Sequence, residues 1–390
     1  MRWFKVLVSV TVFSLCPLVP LTGQAAQNEE VVILPFVMPS TRFIALGGNH
    51  AAMADDFYAI FLNPAAFVDI ESEFSAAEVT ISFFGPMPDI IEGVLINWIT
   101  ETRYNVTDVV GPAGFGAGLE LGTPLSLGWI NRGLALGLFS RVYNTSRVVR
   151  TRWHPSFFGE LFLTAGYAFR IIDNRSHKFD AGFLLKGFAR GVLHLQAPLR
   201  DAALLLVNIE TRPIDLNLGG TLDVGLRYNV WENLTFALVC YDVYSYGISV
   251  SHRSLENFLA APTDFTEAVP ASIARRLDFS TKLRISSRVI DRYVSHISLT
   301  ATYHNLLDLL DTNEEEERRD TILNFGVGFE VVLHEVFTLR AGFTEMLPSF
   351  GVGLDFSFAT IDFAYFTKEL GMKPGEHPVN GLSFGITFRY

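Results

Sequence analysis

The chain reads as an all-β protein, a transmembrane antiparallel β-barrel of about fourteen strands. Three observations point there. Apolar residues alternate with small or polar ones through many ten-residue windows, long and short connectors follow one another in turn, and an export leader precedes an unusually apolar chain that holds no helical span.

The leader comes first in order. Arg2 and Lys5 precede an apolar run from Val6 to about Leu15, and Gly23-Gln24-Ala25 supplies the small residues of a cleavage site. Pro17 and Pro20 interrupt the run, which argues against a retained anchor. Cleavage after Ala25 removes Cys16, so Cys240 stands alone and no internal disulfide forms. The formal charge of -11 then becomes -13, since the first 25 positions hold two basic residues and no acidic one. That excess of acid argues against a nucleic-acid partner. Hydrophobic residues make up 49% of the 390 and charged ones 18%, with 34 Phe, where a soluble domain carries about 25% charge. No uncharged apolar stretch after the leader approaches the roughly 18 residues a membrane helix needs.

Period-two alternation then defines the strands. In the last ten residues, Leu382, Phe384, Ile386, Phe388 and Tyr390 alternate with Gly381, Ser383, Gly385, Thr387 and Arg389. Successive side chains of a strand point to opposite faces, so one face meets oil and the other does not. The pattern recurs from Leu222 to Val230, from Leu323 to Val331 and from Phe350 to Phe358. Strands are expected at 74–84, 114–128, 132–144, 159–171, 178–191, 218–230, 233–248, 276–288, 292–304, 321–332, 336–346, 350–358, 360–368 and 380–390. Residues 89–104 fit either a helix in the first outer loop or a strand; the count of fourteen takes them as loop.

Connector length separates a membrane barrel from a soluble sandwich. Long polar joins are expected near 145–158, 192–217, 249–275, 305–320 and 369–380, and short ones near 172–177, 231–233, 289–291, 333–336 and 359–360. Such sorting is what a barrel with outer loops and periplasmic turns shows. If the apolar faces point to lipid, Glu120, Asp223, Arg227, Asp278, Lys282, Arg284, Glu330, Arg340, Asp355 and Arg389 face the lumen. Both signs occur, which favours interior ion pairs over a wide single-sign channel. A barrel of this strand number encloses more space than its wall side chains fill.

The segment ALGGNHAAMADDFYAIFLNPAAF, residues 45–67, breaks the alternation. Gly47-Gly48 permits positive φ and close approach to a wall, and Asn63-Pro64 ends a short helix. This run resembles the N-terminal hatch motif of the FadL family of outer-membrane long-chain fatty acid transporters. It matches at Arg42, Ala45, Gly47, Gly48, Ala54, Asp55, Asp56, Ala59, Asn63, Pro64 and Ala65, and departs at His50 and Ala66. The PorV-like partners of a secretion machine share much of the motif. The resemblance implies a hatch over 26–72 that plugs a barrel over 73–390, and a terminal aromatic Tyr390 that looks like the signal read by the barrel insertion machinery. It implies hydrophobic ligands such as long-chain fatty acids, and a lateral opening where a strand kinks; Gly137 is the candidate. Phe57, Tyr58, Phe61 and Leu62 either contact an acyl chain or pack the plug against the wall. Asp55 and Asp56 are tethers to lumen cations or helix-starting groups.

Chemistry is thin elsewhere. The nine His are scattered, no metal-ligand spacing or nucleophile motif occurs, and no cofactor is implied. Asp242, His252, His296 and His304 near strand ends are the residues from which a rim enzyme would be built. Glu314 to Glu317 with Arg318 and Arg319 read as an outer loop tip where a protein partner would touch. The expected function is therefore passive passage of hydrophobic molecules through an outer membrane, with a scaffold for a secretion complex and a general porin as rivals.

Overall fold

A computed structural model describes residues 31–38, 40–85, 115–149, 152–198, 209–231, 233–285, 294–309, 319–356 and 358–389. The predicted leader, residues 89–104, the Glu314–Arg318 run and Tyr390 lie outside them. The chain is a closed antiparallel barrel of 14 strands with few helices. A short strand β1 (Val31–Ile33) precedes the ring. The wall begins with β2 (Glu73–Gly85), β3 (Phe115–Asn131), β4 (Leu134–Val149), β5 (Arg152–Asp173) and β6 (His177–His194). After a two-residue β7 (Ala197–Pro198) it continues with β8 (Ile214–Val230) and β9 (Leu234–His252). A short β10 (Glu267–Ile273) leads into β11 (Arg276–Ile285), β12 (Val294–Tyr303), β13 (Phe325–Leu333) and β14 (Phe337–Thr344). The ring ends with β15 (Leu347–Phe356), β16 (Ala359–Glu369) and β17 (Pro378–Arg389), and β17 pairs with β2 from Gly85 opposite Asn380 down to Ser75 opposite Arg389. Closure leaves no sheet edge and satisfies the backbone amides without water.

The alternation decides which face is which. Val352, Leu354, Phe384 and Phe388 point outward and are exposed, whereas Asp223, Arg227, Glu330 and Ser383 point inward and are buried. Leu323 departs from the expected pattern: it lies in a 3-10 turn ahead of β13 and is buried, because Asp320 caps that turn through the Ile322 amide and the strand starts only at Phe325.

The connectors correct the sequence reading at two places. Residues expected as a long join over 145–158 belong to β4 and β5, which stay paired from Leu134 opposite Tyr167 to Val149 opposite Arg152. Between β14 and β15 the outer join is Glu345-Met346 alone, both residues at positive φ. Amides pair as well above a bilayer as within it, and a ribbon wetted on both faces carries polar residues on both, so its side-chain pattern resembles a loop. The wall is consequently uneven: β5 has 22 residues and β14 only 8, against the roughly 9–11 a tilted strand needs to span.

Near the loop end β10 pairs with β9, and β1 pairs in parallel with β10, Val31 to Ile33 opposite Ala271 to Ile273. The N-terminal segment runs from there through the lumen to the turn end, where β2 begins. No described helix is long and apolar enough to cross a membrane.

Candidate functional site

The segment 31–70 fills the middle of the barrel. Its one-turn helix Thr41–Ala45 ends in a reversal in which the Gly48 amide donates to the Phe43 carbonyl at 2.8 Å. Gly47 at φ 79° makes that reversal available. It also lets the backbone touch the wall: a Cβ at Gly47 would sit 2.6 Å from the Phe343 nitrogen, and one at Gly342 of β14 would sit 2.1 Å from the Leu46 carbonyl carbon. Asn63 adopts extended backbone, accepts the Ala65 amide at 3.0 Å and starts the 3-10 turn Pro64–Val68. This turn lies against β6 and β8, where Gly182 and Gly225 leave the room that Pro64 and Asn63 occupy. The Tyr241 hydroxyl of β9 donates to the Leu62 carbonyl at 2.6 Å.

Charge fixes the segment in rotation. Arg42 reaches Asp55 at 2.8 Å and Asp56 at 2.7 Å on the segment, and grips both carboxylate oxygens of Glu330 on β13 at 2.9 and 3.0 Å. Glu330 is held in turn by Arg340 at 2.8 Å, and Asp55 also accepts from Lys282 of β11 at 3.1 Å. Asp56 in addition accepts the Tyr58 amide at 2.9 Å and so opens the next helical turn, Ala59–Leu62. Burial alone would raise the Asp55 pKa; Arg42 and Lys282 outweigh it and hold the carboxyl well below its usual range. At the turn end Asp69 bridges Arg170 and Arg227, both of which also bind Asp180 on β6.

His50, the departure from the motif, is buried at the wall. Its Nε2 donates to the Leu46 carbonyl at 2.9 Å, and its Nδ1 meets Thr302 Oγ1 at 2.8 Å. Burial, with a smaller contribution from nearby His304, lowers its pKa to about 4, so the ring is neutral at pH 7.

The candidate contact residues lie deep in the segment. Phe57 and Leu62 are each 1% exposed, and the Phe57 and Phe61 rings lie 5.8 and 4.7 Å from that of Phe139 on β4. With Phe43, Leu46, Met53 and Phe67 they form an apolar layer packed on Ile130, Phe162 and Leu184 of the wall. Open space lies on either side. Two turn-end cavities of about 670 and 430 Å³ meet Asp55, Asp56, Glu73 and Arg284; the larger also reaches Asp69, and the smaller Phe57 and Tyr58. A loop-end cavity of about 780 Å³ is walled by Phe158, Arg190, Val192 and Ser249 and floored by Val31 to Leu34. Val32 and Leu34 are 67% and 62% exposed. Sequence reasoning missed this floor, whose signal is the apolar run VVILPFV after the predicted cut. It also missed Arg42 as the hub, since one side chain meeting three carboxylates is set by the fold.

Gly137 is paired on both sides, to Gly128 and to Thr164, and its missing Cβ leaves room for the Phe139 ring. The nearby slip lies on β3, where residues 123–125 stand opposite Ser140 alone; Pro124 within it has no amide to give. Of the rim candidates, Asp242 binds Lys186 at 3.1 Å, His304 binds Asp278 at 2.8 Å, and His252 meets the Asp264 carbonyl at 3.2 Å, while His296 lines a turn-end cavity. Among the described residues no cluster could hold a metal.

No protein-family description matches the chain, and no curated protein matches it in sequence. Similar solved structures include the Pseudomonas putida toluene transporter TodX, 9% identical with TM-score 0.47 over 92% of this chain and 99% of that one. The Ralstonia pickettii toluene transporter TbuX is 12% identical with TM-score 0.46 over 90% and 98%. A Pseudomonas aeruginosa FadL homologue is 13% identical with TM-score 0.42 over 91% and 98%. Likeness this remote carries no function across.

Proposed function

We propose that the chain, after removal of residues 1–25, is an outer-membrane channel for the passive uptake of hydrophobic molecules such as long-chain fatty acids, with residues 26–72 as its hatch. The observation that carries this reading is the exposed Val31, Val32 and Leu34 inside the lumen, flooring a cavity of about 780 Å³. Apolar surface held open in a protected space gains about 25 cal/mol for each Å² that an apolar molecule covers. Further passage requires the hatch to shift, since the layer of Phe57, Tyr58, Phe61 and Leu62 separates the loop-end cavity from the turn-end cavity that Phe57 and Tyr58 also line. The hatch is tied by side chains, glycine contacts, three residues of parallel strand and, at its turn end, the Arg132 and Gly133 amides on the Ile70 and Phe67 carbonyls, so a shift of its earlier part breaks no pairing between wall strands. We place the way out beside Gly137, next to the slip at 123–125.

The test compares organic extracts and uptake of labelled fatty acid into vesicles for the full chain and for Val32→Asp with Leu34→Asp. Retained fatty acid and at least tenfold slower uptake by the variant support the channel. An empty barrel and unchanged flux overturn it. The scaffold reading draws on one observation, the exposed Leu259 and Phe265 of the outer connector after β9; it expects Leu259→Asp to abolish capture of a protein partner while leaving uptake unchanged.

A further inference from the structure

The outward face of the wall carries a recess that nothing in the lumen explains. At one level across four strands stand Leu163 on β5, Gly187 on β6, Gly220 on β8 and Tyr246 on β9, and on the next level toward the turn end stand Ala165, Leu185, Leu222 and Tyr244. These residues line an open space of about 540 Å³ on the membrane side. Gly187 and Gly220 are paired directly and form its floor, while Leu163, Tyr244 and Tyr246 rise around it, 65% to 67% exposed.

The two glycines are the informative residues. Glycine weakens a strand interior and is kept where a second body approaches the backbone. On the inward face the second body is present: Leu46 lies against Gly342, Asn63 against Gly225 and Pro64 against Gly182. At Gly187 a Cβ would meet only the Leu163 carbonyl at 3.9 Å, and at Gly220 only the Lys186 carbonyl at 3.5 Å. Neither residue has positive φ. The chain itself supplies nothing to fill the floor, so the occupant comes from outside.

Position names its chemistry. Leu163 lies ten residues above Asp173 at the turn end of β5. With a rise of about 3.3 Å per residue and a tilt near 40°, that is about 25 Å, the height of the apolar band of such barrels. The recess therefore opens in the upper part of that band, one row below the outward Leu161, Ala189, Leu218 and Ile248, with tyrosines on the side where aromatic side chains approach lipid headgroups. It is continuous with the lipid-facing surface. Two residue rows are also far smaller than the roughly 800 Å² per partner of a stable protein interface. We infer that this recess binds one acyl chain of an outer-leaflet membrane lipid, whose headgroup rests above Tyr244 and Tyr246. The inference is independent of any transport through the lumen.

The experiment is native mass spectrometry of the detergent-washed full chain beside Gly187→Leu with Gly220→Leu, and beside Ala181→Leu, which enlarges the same outward face three rows nearer the turn end, between Phe169 and Leu226 and outside the recess. Heat-modified gel mobility reports that each barrel is folded, and Gly187→Ala serves as a milder variant should the double variant fail to fold. The expected result is one bound membrane lipid on the wild type and on Ala181→Leu, reduced at least fivefold by filling the recess. A wild type without lipid, equal retention by the filled variant, a free fatty acid in place of a membrane lipid, or a dimer that filling the recess dissociates would each overturn the assignment.

Discussion

Arg42 concentrates the binding of the N-terminal segment in one side chain. Glu330 is nearly inaccessible behind it, so Arg42→Ala leaves a buried carboxylate short of a partner. Removing one member of a buried ion pair costs about 3–5 kcal/mol, most of it here from Glu330, since Asp55 is more exposed and better solvated. Arg42→Ala is expected to expose residues 31–70 to protease with the barrel still folded, and Glu330→Gln added to it is expected to restore part of the protection. His50 sets a pH window by the opposite logic. Its pKa is lowered in the docked state to about 4 from 6.5, so a released segment takes up the proton first as pH falls. Docking is then fully stable above about pH 6.5 and loses up to about 3 kcal/mol by pH 4. Asp55, whose pKa is lowered by Arg42 and Lys282, loses its contribution only at lower pH. Proteolysis of the segment should rise between pH 6.5 and 4.5 in the wild type and stay flat across that window in His50→Gln.

At the scale of elements, glycine seams decide where the segment sits. The Leu46-Gly47 peptide lies in the space a side chain at Gly342 would take, and inserting methyl groups into a packed site costs about 1–3 kcal/mol. Gly342→Val suits β14 as a strand and blocks the reversal at Gly47-Gly48. The expected outcome is a barrel of unchanged heat-modified mobility whose segment is cleaved quickly, checked by limited proteolysis; continued protection would show that the seam yields. These elements were unevenly legible. The cores of the fourteen strands could be read because each has one face in oil, whereas β4 and β5 beyond the bilayer could not, because water on both faces erases the alternation. The turn at Asn63-Pro64 was visible from backbone restriction alone, but its seat against Gly182 and Gly225 depends on strands over 100 residues away.

At the scale of the molecule, the lumen is open on two sides of one apolar layer. Deleting residues 26–72 joins them. The truncated barrel is expected to conduct ions steadily in planar bilayers while the full chain does not, and equal conductance would mean that the segment does not close the lumen.

The sequence by itself determined the closed antiparallel wall and its outward and inward faces, because each follows from local rules of strand periodicity and burial in lipid. Only the tertiary structure decided that Arg42 meets Glu330, that His50 is neutral against Thr302, that Phe57 and Leu62 are buried while Val32 and Leu34 floor a cavity, and that Gly187 meets Gly220 over a recess. Those are contacts between residues far apart in the chain, and strand register and barrel closure, which set their distances, are properties of the assembled ring.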